Sequence, residues 1–402
     1  MLKLLFIAPR FPYPPQKGDQ LTIFRRLKVL ADLHEITLLS FVEKQPSSED
    51  MKYVSMLCRG GVFTVPFSRT TAILHLIKGA CFSSLPLQSL LYQSNKFRLI
   101  LDDLLQKNTY DVVHFFLIRM APYVSLVKKY NIPSVLDMVD SMTLNIQRRI
   151  PFEKSVLRWG LKYEGKRVER YERNVYHDFH KLIVCAKKDL EYISGKNISI
   201  IPSAVMAEEF FPRLNMRKEN TFVFSGNLSY PPNIHAVLWF IEQVYPLLKR
   251  ANITFHVNII GRRPAEEIKK SVCGKDEIHL VGKVNSMAEA LNEASFAIAP
   301  MQSGSGMQGK ILEAMACGLP VVTTSLGQGS IEATPAQGLF VADTPEEFSS
   351  VIIELLRDEK KCRDTGVVAR TFILHNHEVS LSLPVLESIY RTAVKTSNID
   401  HT

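Results

Sequence analysis

The chain has 402 residues, 46% of them hydrophobic and 22% charged, which fits two globular domains of about 200 residues each and excludes wholesale disorder. No run reaches the roughly 18 consecutive apolar residues of a membrane span. The net charge of +9 lies in residues 1–200, where 30 Lys and Arg stand against 18 Asp and Glu, compared with 19 against 22 in the rest. An anionic partner (a lipid surface, a polyanionic acceptor or nucleic acid) and a solvated basic face both fit this charge.

Short apolar strands alternate with amphipathic helices along the whole chain. Strands that are apolar almost throughout, rather than at every second residue, are typical of a parallel sheet covered on both faces. Two such series predict an α/β protein of two doubly wound Rossmann-like domains. The first series of strands is predicted at 2–8, 35–41, 62–66, 111–116, 133–137, 181–186 and 198–202, and the second at 221–226, 254–261, 278–282, 296–300, 320–324 and 339–341.

The predicted domains are 1–202 and 203–377, followed by a C-terminal helical stretch, 378–402, that can cross back to brace the first domain. Mixed charges every three or four residues predict a long exposed helix within 153–178. Residues 70–93 predict two helices interrupted at Pro86. These two helices either pack in the core or lie against an anionic lipid surface, since residues 51–100 contain six basic residues and no acidic one.

The sharpest candidate site is a Gly/Ser loop that leaves the strand at 296–300 and enters a helix. Small residues let backbone N–H groups approach an anion, and the start of the helix adds partial positive charge. Lys310, about one turn into the helix, can reach a phosphate oxygen, and Glu313 on the same face can accept both hydroxyls of a ribose. A tight turn carrying a surface Lys–Glu pair is the alternative.

Other strand ends carry weaker candidates, because ligands of open parallel sheets bind beyond the carboxyl ends of the strands. Gly18 lies where a Pro-rich loop enters the first helix. Asp137 and Asp140 can orient or deprotonate a hydroxyl, or cap the next helix. His114 is either catalytic or a hydrogen-bonded core residue. Arg262 can clamp a diphosphate, although surface arginines at helix starts are equally common.

Together these segments resemble the family-4 retaining glycosyltransferases of the GT-B fold, in which two such domains face a central cleft. The N-terminal part and the middle segment LDMVDS resemble a narrower branch, the sugar transferases associated with exosortase and exopolysaccharide gene clusters. The segments that carry the resemblance are ILEAMACGLPVVTT (311–324), residues 225–248, NIIGRRP (258–264), VGKV (281–284), residues 13–41 and LDMVDS (136–141).

The resemblance implies a role for each matching position. The donor is a nucleotide-sugar, UDP- or GDP-linked, and neither a bound metal nor another cofactor is expected. The acceptor is a glycan or lipid-linked glycan that binds mainly to the N-terminal domain, where LDMVDS, with Asp140, corresponds loosely to the family's His-bearing acceptor loop. The implied donor contacts are Glu313 with the ribose, Gly304, Ser305, Gly306 and Met307 with the diphosphate and sugar, Val281 to Val284 near the base, and Gly18 near the phosphates.

Two departures from the family pattern affect the site. The family usually has a Glu seven residues before the ribose-binding Glu, in contact with the transferred sugar, but Ser305 stands in the corresponding place. The family's Arg and Lys after the first strand of the second domain are replaced by Asn227 to Asn233. We therefore expect Lys310, together with Arg262, to supply the positive charge that the phosphates need.

Three other functions compete with sugar transfer. A nucleotide-sugar 2-epimerase uses several acidic and basic residues that converge on the sugar, and the sequence presents no such set. A non-catalytic nucleotide-sugar binder is compatible with the replacement of Glu by Ser305. A nucleic-acid-binding protein fits the basic charge, but no recognised binding module supports it. The six cysteines form no CxxC pair, which favours the reducing cytoplasm, where the basic half can associate with the inner face of the plasma membrane.

Overall fold

The computed structural model describes residues 1–15, 18–153, 155–195, 197–304 and 308–399. The chain forms two compact units. The first unit contains Met1–Pro202 together with Ser382–Thr402, and the second contains Ser203–Leu381. Among the described residues, no helix combines the length and the apolar composition that crossing a membrane requires.

The first unit is built on a parallel sheet of seven strands within the described residues, in the order β3-β2-β1-β4-β5-β6-β7. The strands are β1 (Lys3–Ala8), β2 (Glu35–Val42), β3 (Gly61–Pro66), β4 (Val112–Phe116), β5 (Ser134–Val139), β6 (Lys181–Val184) and β7 (Ile198–Ile200). Its helices are α1 (Gly18–Leu30), α2 (Ser48–Leu57), α3 (Arg69–Phe82), α4 (Leu87–Leu91), α5 (Asn95–Lys107), α6 (Val124–Val127), α7 (Met142–Arg149) and α8 (Ser155–Asn174).

Successive residues of each central strand face opposite sides of this sheet. Leu5 and Ile7 of β1 belong to one buried apolar cluster, and Leu4 and Phe6 belong to another on the opposite face. Helices cover both clusters, so the whole strand is apolar, as parallel sheets require. This double burial explains why the strands were recognisable from the sequence.

The second unit contains a parallel sheet of six strands within the described residues, in the order β10-β9-β8-β11-β12-β13, and one continuous apolar core. The strands are β8 (Thr221–Ser225), β9 (His256–Ile260), β10 (Ile278–Gly282), β11 (Phe296–Ala299), β12 (Val321–Thr323) and β13 (Leu339–Val341). The helices are α9 (Pro231–Trp239), α10 (Tyr245–Arg250), α11 (Glu266–Val272), α12 (Met287–Asn292), α13 (Gly309–Ala316), α14 (Ser325–Gln328), α15 (Pro345–Arg357) and α16 (Glu359–Asn376).

The last helix, α17 (Ser382–Ile399), belongs to the first unit although it follows the whole of the second. Leu386 and Tyr390 are completely buried in the cluster that also contains Phe6 of β1. Glu387 pairs with His34, with 2.5 Å between the carboxylate oxygen and Nε2. The first unit is therefore completed by residues from two distant parts of the chain.

The two helices predicted within 70–93 are present as α3 and α4, with Pro86 at the start of α4. Core packing of α3 is partial: Ala72 is buried, whereas Ile73, Leu74 and Ile77 are 54%, 57% and 62% exposed. Leu90 of α4 is buried. The exposed apolar residues of α3 therefore need an explanation other than the core of the first unit.

Candidate functional site

The Gly/Ser loop lies at the carboxyl end of β11, directly before α13. Ser303 is buried, and Gly304 has a φ of 104°, a conformation that favours glycine. A Cβ at Gly304 would also lie 3.2 Å from the side chain of Pro232. The predicted contact residues Ser305, Gly306 and Met307 lie outside the described residues. The helix that follows starts at Gly309, and no side-chain hydrogen bond from Gln308 caps it.

The start of α9 holds this loop in place through side chains that the sequence analysis did not select. His235 Nδ1 lies 2.8 Å from Ser303 Oγ. Asn233 donates from Nδ2 to the carbonyl of Asn227 at 2.9 Å, while its Oδ1 accepts from Lys310 Nζ at 2.5 Å. Asn233 thus joins the loop after β8 to the start of α13. An Asn and a His two residues apart, directly after two prolines, were the available sequence signal.

Lys310 points its ammonium group toward the interior of the second unit. Nζ lies 4.5 Å from the ring centre of Phe224 and 3.7 Å from Met301 Sδ. Burial lowers the pKa of Lys310 to about 7, and the negative charge of Glu313 opposes the shift only in part. Glu313 lies one turn further along α13 and is partly exposed. The predicted pairing of Lys310 and Glu313 on one helix is therefore present beside the Gly/Ser loop.

Two threonines fix the other side of the loop. Thr323 Oγ1 donates to the carbonyl of Ala299 at 2.7 Å, and Thr324 Oγ1 donates to that of Met301 at 2.6 Å. Thr324 Oγ1 also accepts from the N–H of Gly327 and so caps α14. Because these hydroxyls satisfy the carbonyls of the chain leaving β11, that backbone has a defined path into the loop.

The loops after β8 and β9 approach each other very closely. A Cβ at Gly261 would lie 1.7 Å from the carbonyl oxygen of Gly226, so only glycine fits. Arg262 follows directly, and its carbonyl accepts from the N–H of Leu228 at 3.1 Å. On β10, Val281 is 47% exposed, whereas Val284, beyond the strand, packs against the core. Their predicted contacts with a donor remain predictions.

In the first unit, Asp140 follows β5 at the carboxyl end of the sheet, where the backbone is strained. Val139 and Leu117, at the ends of the neighbouring strands β5 and β4, have φ of 68° and 66°. Such conformations are costly for these residues and cluster at functional sites. Asp140 is partly exposed and accepts from Asn145 Nδ2 at 3.3 Å.

Two further carboxylates, Asp189 and Glu172, lie at the start of α7 and affect the ionisation of Asp140. Burial raises the pKa of Asp140 to about 7, Asp189 and Glu172 act in the same direction, and Arg119 opposes them. Glu172 accepts from Ser141 Oγ at 2.9 Å and from the backbone N–H groups of Met142 and Thr143. Ser141 and Glu172 thus cap α7, whereas the carboxyl group of Asp140 has a pKa of about 7.

His114 is a core residue, which corrects its expected catalytic role. Its side chain is completely buried, stacks on Phe6 at 4.3 Å between ring centres, and lies 2.9 Å from Tyr390 Oη through Nδ1. Burial lowers the pKa of His114 to about 3, with a smaller effect of Arg26. Since the ring contacts no solvent, it cannot take a proton from an acceptor.

Asp137 is equally unable to reach a substrate. Its carboxylate is completely buried and pairs with Arg26, with 3.1 Å between Oδ2 and Nε. The pair ties α1 to β5 across the face that also carries His114. Neither Asp137 nor His114 caps a helix or faces the surface, so their role is structural.

A cavity of about 330 Å³ lies at the carboxyl ends of β1, β2 and β3. This volume is at the lower end of the range for small-molecule sites. Phe11, Tyr13, Phe41, Phe67 and Tyr92 supply its aromatic lining. The polar lining includes Arg10, Gln20, Glu43 and Asp50. Arg10 is paired with Asp19 at 2.8 Å and with Glu43 at 2.5 Å, which offsets its positive charge.

Gly18 is the first residue of α1, two residues before Gln20, which lines this cavity. A Cβ there would meet no atom within 4 Å, so the surrounding space is open. Its expected approach to phosphates remains a prediction. Within the ranges that the structure describes, no group of three or more His, Cys, Asp and Glu side chains is arranged to hold a metal ion.

Part of the sequence and the fold resemble those of glycosyltransferases. Residues 219–358 match the family model described as glycosyl transferases group 1, and these residues include the Gly/Ser loop, Lys310 and Glu313. The two-unit architecture with its parallel sheets is the GT-B fold of glycosyltransferase structures. The family match lies within the second unit, and the structural neighbours share the fold of the whole chain.

Particular relatives span nearly the whole chain. An uncharacterized 44.6 kDa protein in the cps region of Klebsiella pneumoniae is 23% identical over 411 residues, covering 97% of this chain and 100% of that protein. Sucrose-phosphate synthase from Thermosynechococcus elongatus has a TM-score of 0.70 at 12% identity, with coverage of 98% and 100%. Anabaena HepE in complex with UDP and glucose has a TM-score of 0.64 at 13% identity, with coverage of 96% and 99%.

Proposed function

We propose that this protein is a retaining glycosyltransferase that moves a sugar from a nucleoside-diphosphate donor to a glycan or lipid-linked glycan. The observation that carries the proposal is the loop after β11, which precedes α13 with its Lys310 and Glu313 and is held by His235 of α9 and by Thr324, the residue after β12. The match of this region to the group 1 family supports it. The relative in a cps region supports a polysaccharide context.

In the donor complex we assign Glu313 to the ribose and the Gly/Ser loop to the diphosphate. A carboxylate can accept both ribose hydroxyls, and backbone N–H groups at the start of a helix bind phosphate oxygens. Lys310 supplies positive charge after its ammonium exchanges the amide of Asn233 for a phosphate oxygen. HepE has been solved with UDP and glucose, which makes UDP the first nucleotide to test.

In the transfer step, an acceptor hydroxyl attacks the anomeric carbon on the face from which the diphosphate leaves. The new bond joins the acceptor oxygen to the anomeric carbon, and the bond from that carbon to the phosphate oxygen breaks. Asp140 in its carboxylate form takes the acceptor proton, and Lys310 stabilises the negative charge on the departing diphosphate. No protein nucleophile and no metal ion are part of this proposal, and transfer in the presence of EDTA tests the second point.

We assign a part of the acceptor away from its attacking hydroxyl to the cavity beside β1, β2 and β3, since Asp140 is not among the residues that line it. Aromatic faces bind the apolar faces of sugar rings, while Glu43 and Asp50 can accept hydrogen bonds from hydroxyl groups. Arg10 is already paired with two carboxylates, and Lys44, the other cation of the lining, is offset by Asp50, so the cavity offers little net positive charge to an anion. A neutral saccharide terminus therefore fits the lining better than a phosphate.

Calorimetric titration of UDP, GDP and ADP into the wild-type protein and a Glu313→Ala variant tests the donor site. We expect one nucleotide to bind selectively and the variant to bind it at least tenfold more weakly. Glu266→Ala, which removes an exposed carboxylate of α11 in the same unit, is the matched control. Equal binding by wild type and Glu313→Ala would overturn the site assignment. Release of free sugar and nucleotide from a donor then separates a catalyst from a non-catalytic binder.

A further inference from the structure

The outward face of α8 carries large apolar side chains that no part of the described fold covers. Val156 is 88% exposed, Trp159 73% and Tyr163 50%. The spacing of three and four residues places all three on one side of the helix. The rings of Trp159 and Tyr163 stack with 6.4 Å between their centres, so they form one continuous patch.

The opposite side of α8 is firmly attached to the first unit, which fixes the direction of the exposed face. Glu164, Val168 and Glu172 are buried at successive turns of the helix. Glu172 caps α7, and Glu164 accepts from the backbone N–H of Leu87 at 2.7 Å. Rotating the helix to bury Trp159 would break these contacts, so the apolar stripe stays outside.

Helix α3 carries a second exposed apolar stripe. Ile73, Leu74 and Ile77 are each more than half exposed. Arg167 of α8 donates to the carbonyls of Gly79 and Ser83 at the end of α3, which joins the two helices. We call the two stripes together the α3–α8 surface, defined by Ile73, Leu74, Ile77, Val156, Trp159 and Tyr163.

Positive charge accompanies the apolar side chains. Lys162, Lys166 and Arg170 are exposed on the outward half of α8, while two of its three carboxylates, Glu164 and Glu172, are buried. The region around α3 adds to this bias, since residues 51–100 contain basic residues and no acidic one. Apolar side chains flanked by basic ones are the composition of helices that lie in the interface of an anionic bilayer.

We propose that the α3–α8 surface docks the protein onto an anionic lipid bilayer. Ile, Leu and Val enter the region between headgroups and acyl chains, Trp159 and Tyr163 occupy the headgroup level that aromatic residues prefer, and the lysines contact lipid phosphates. A second copy of this chain fits less well as the occupant, because two such faces would bring like charges together. The inference rests on exposure and charge alone and is independent of the sugar-transfer proposal.

The two tryptophans of the chain give a direct test. Trp239 packs edge-on against Phe348 in the second unit, so the full-length Trp239→Phe protein reports on Trp159 alone. With vesicles of phosphatidylcholine and phosphatidylglycerol we expect its emission to shift to shorter wavelength. Phosphatidylcholine vesicles should produce little shift, and high salt should reverse the effect.

Variants on each stripe decide whether the whole surface takes part. In the Trp239→Phe background, Lys162→Glu with Lys166→Glu should weaken vesicle binding at least tenfold, and Ile73→Asp with Ile77→Asp should do the same. Val367→Asp, an exposed apolar position of α16 that is 67% accessible, is the matched control and should leave binding unchanged. Binding to both kinds of vesicle alike, or none, would overturn the proposal. Self-association without vesicles, lost in the stripe variants, would assign the surface to a second copy instead.

Discussion

Asp140 and Lys310 are two ionisable side chains whose surroundings move their pKa values toward neutrality from opposite directions. Burial and neighbouring carboxylates raise the pKa of Asp140 to about 7, and burial lowers that of Lys310 to about 7. The proposed reaction needs the carboxylate form of Asp140 and the ammonium form of Lys310. Transfer should therefore have a bell-shaped pH dependence with a maximum near pH 7, measured as kcat/KM across the neutral range.

Replacing Asp140 by Asn separates its role in transfer from its effect on stability. The folded-state pKa of Asp140 lies above its unfolded value, so its contribution to stability is complete below about pH 4 and is lost as the pH rises through about 7. Asp140→Asn should therefore lower transfer by about a hundredfold or more while raising the melting temperature at pH 8. At pH 4 the two proteins should melt alike, and a lower melting temperature of the variant at pH 8 would contradict the assignment.

Lys310 should link donor binding to pH. Binding a diphosphate favours the ammonium form, so affinity should fall by up to about tenfold per pH unit above pH 7. Lys310→Met should bind UDP more weakly than wild type at pH 6 and show little dependence on pH. Calorimetry at pH 6 and pH 8 measures both effects. Unchanged affinity in Lys310→Met would show that the phosphate charge comes from elsewhere.

For individual residues, the sequence showed which side chains could take part in the chemistry better than it showed which groups surround them in the fold. The Gly/Ser loop, Lys310 and Glu313 were selected because they follow a strand and start a helix. His114 could not be recognised as a core residue, since Tyr390, its hydrogen-bond partner, lies far along the chain. Asn233 was missed for the same reason, because its contact with Lys310 joins segments that are distant in sequence.

The elements that shape the candidate donor site depend on a few close backbone contacts. Gly261→Ala would place a Cβ 1.7 Å from the carbonyl oxygen of Gly226, so the loops after β8 and β9 must separate. We expect a loss of about 2–4 kcal/mol of unfolding free energy, assigned to the second unit by denaturant titration with hydrogen exchange. Gly309→Ala, where a Cβ meets nothing within 4 Å, is the control and should not lose stability. Equal stability of the two variants would mean that the loops yield easily.

Element positions followed well from the sequence because a strand buried on both faces is apolar throughout. The thirteen strands that the structure describes were all predicted, with ends that differ by one or two residues. The surroundings of a helix were harder to derive. The sequence pattern predicts that α8 is a charged, exposed helix. Its apolar stripe can be recognised only once Glu164 and Glu172 are known to face inward.

For the whole molecule, the feature with the widest effect is the position of α17 in the first unit. Truncation after Leu381 removes Leu386, Ile389, Tyr390 and Ala393 from the apolar cluster over β1 and β4. We expect the first unit to lose protection from proteolysis while the second unit retains nucleotide binding. Limited proteolysis with mass spectrometry and parallel UDP titration measures both. A truncated protein whose first unit resists protease like the full chain would show that α17 is dispensable.

This arrangement also sets an order of events during synthesis. Every strand of the first sheet is synthesised before residues 203–381, and α17 is synthesised after them. At roughly 5–20 residues per second, the cluster that receives Tyr390 stays open for roughly 10–40 s. The second unit can therefore reach its final fold before the first, and chaperones that bind nascent chains have a defined apolar target during that interval.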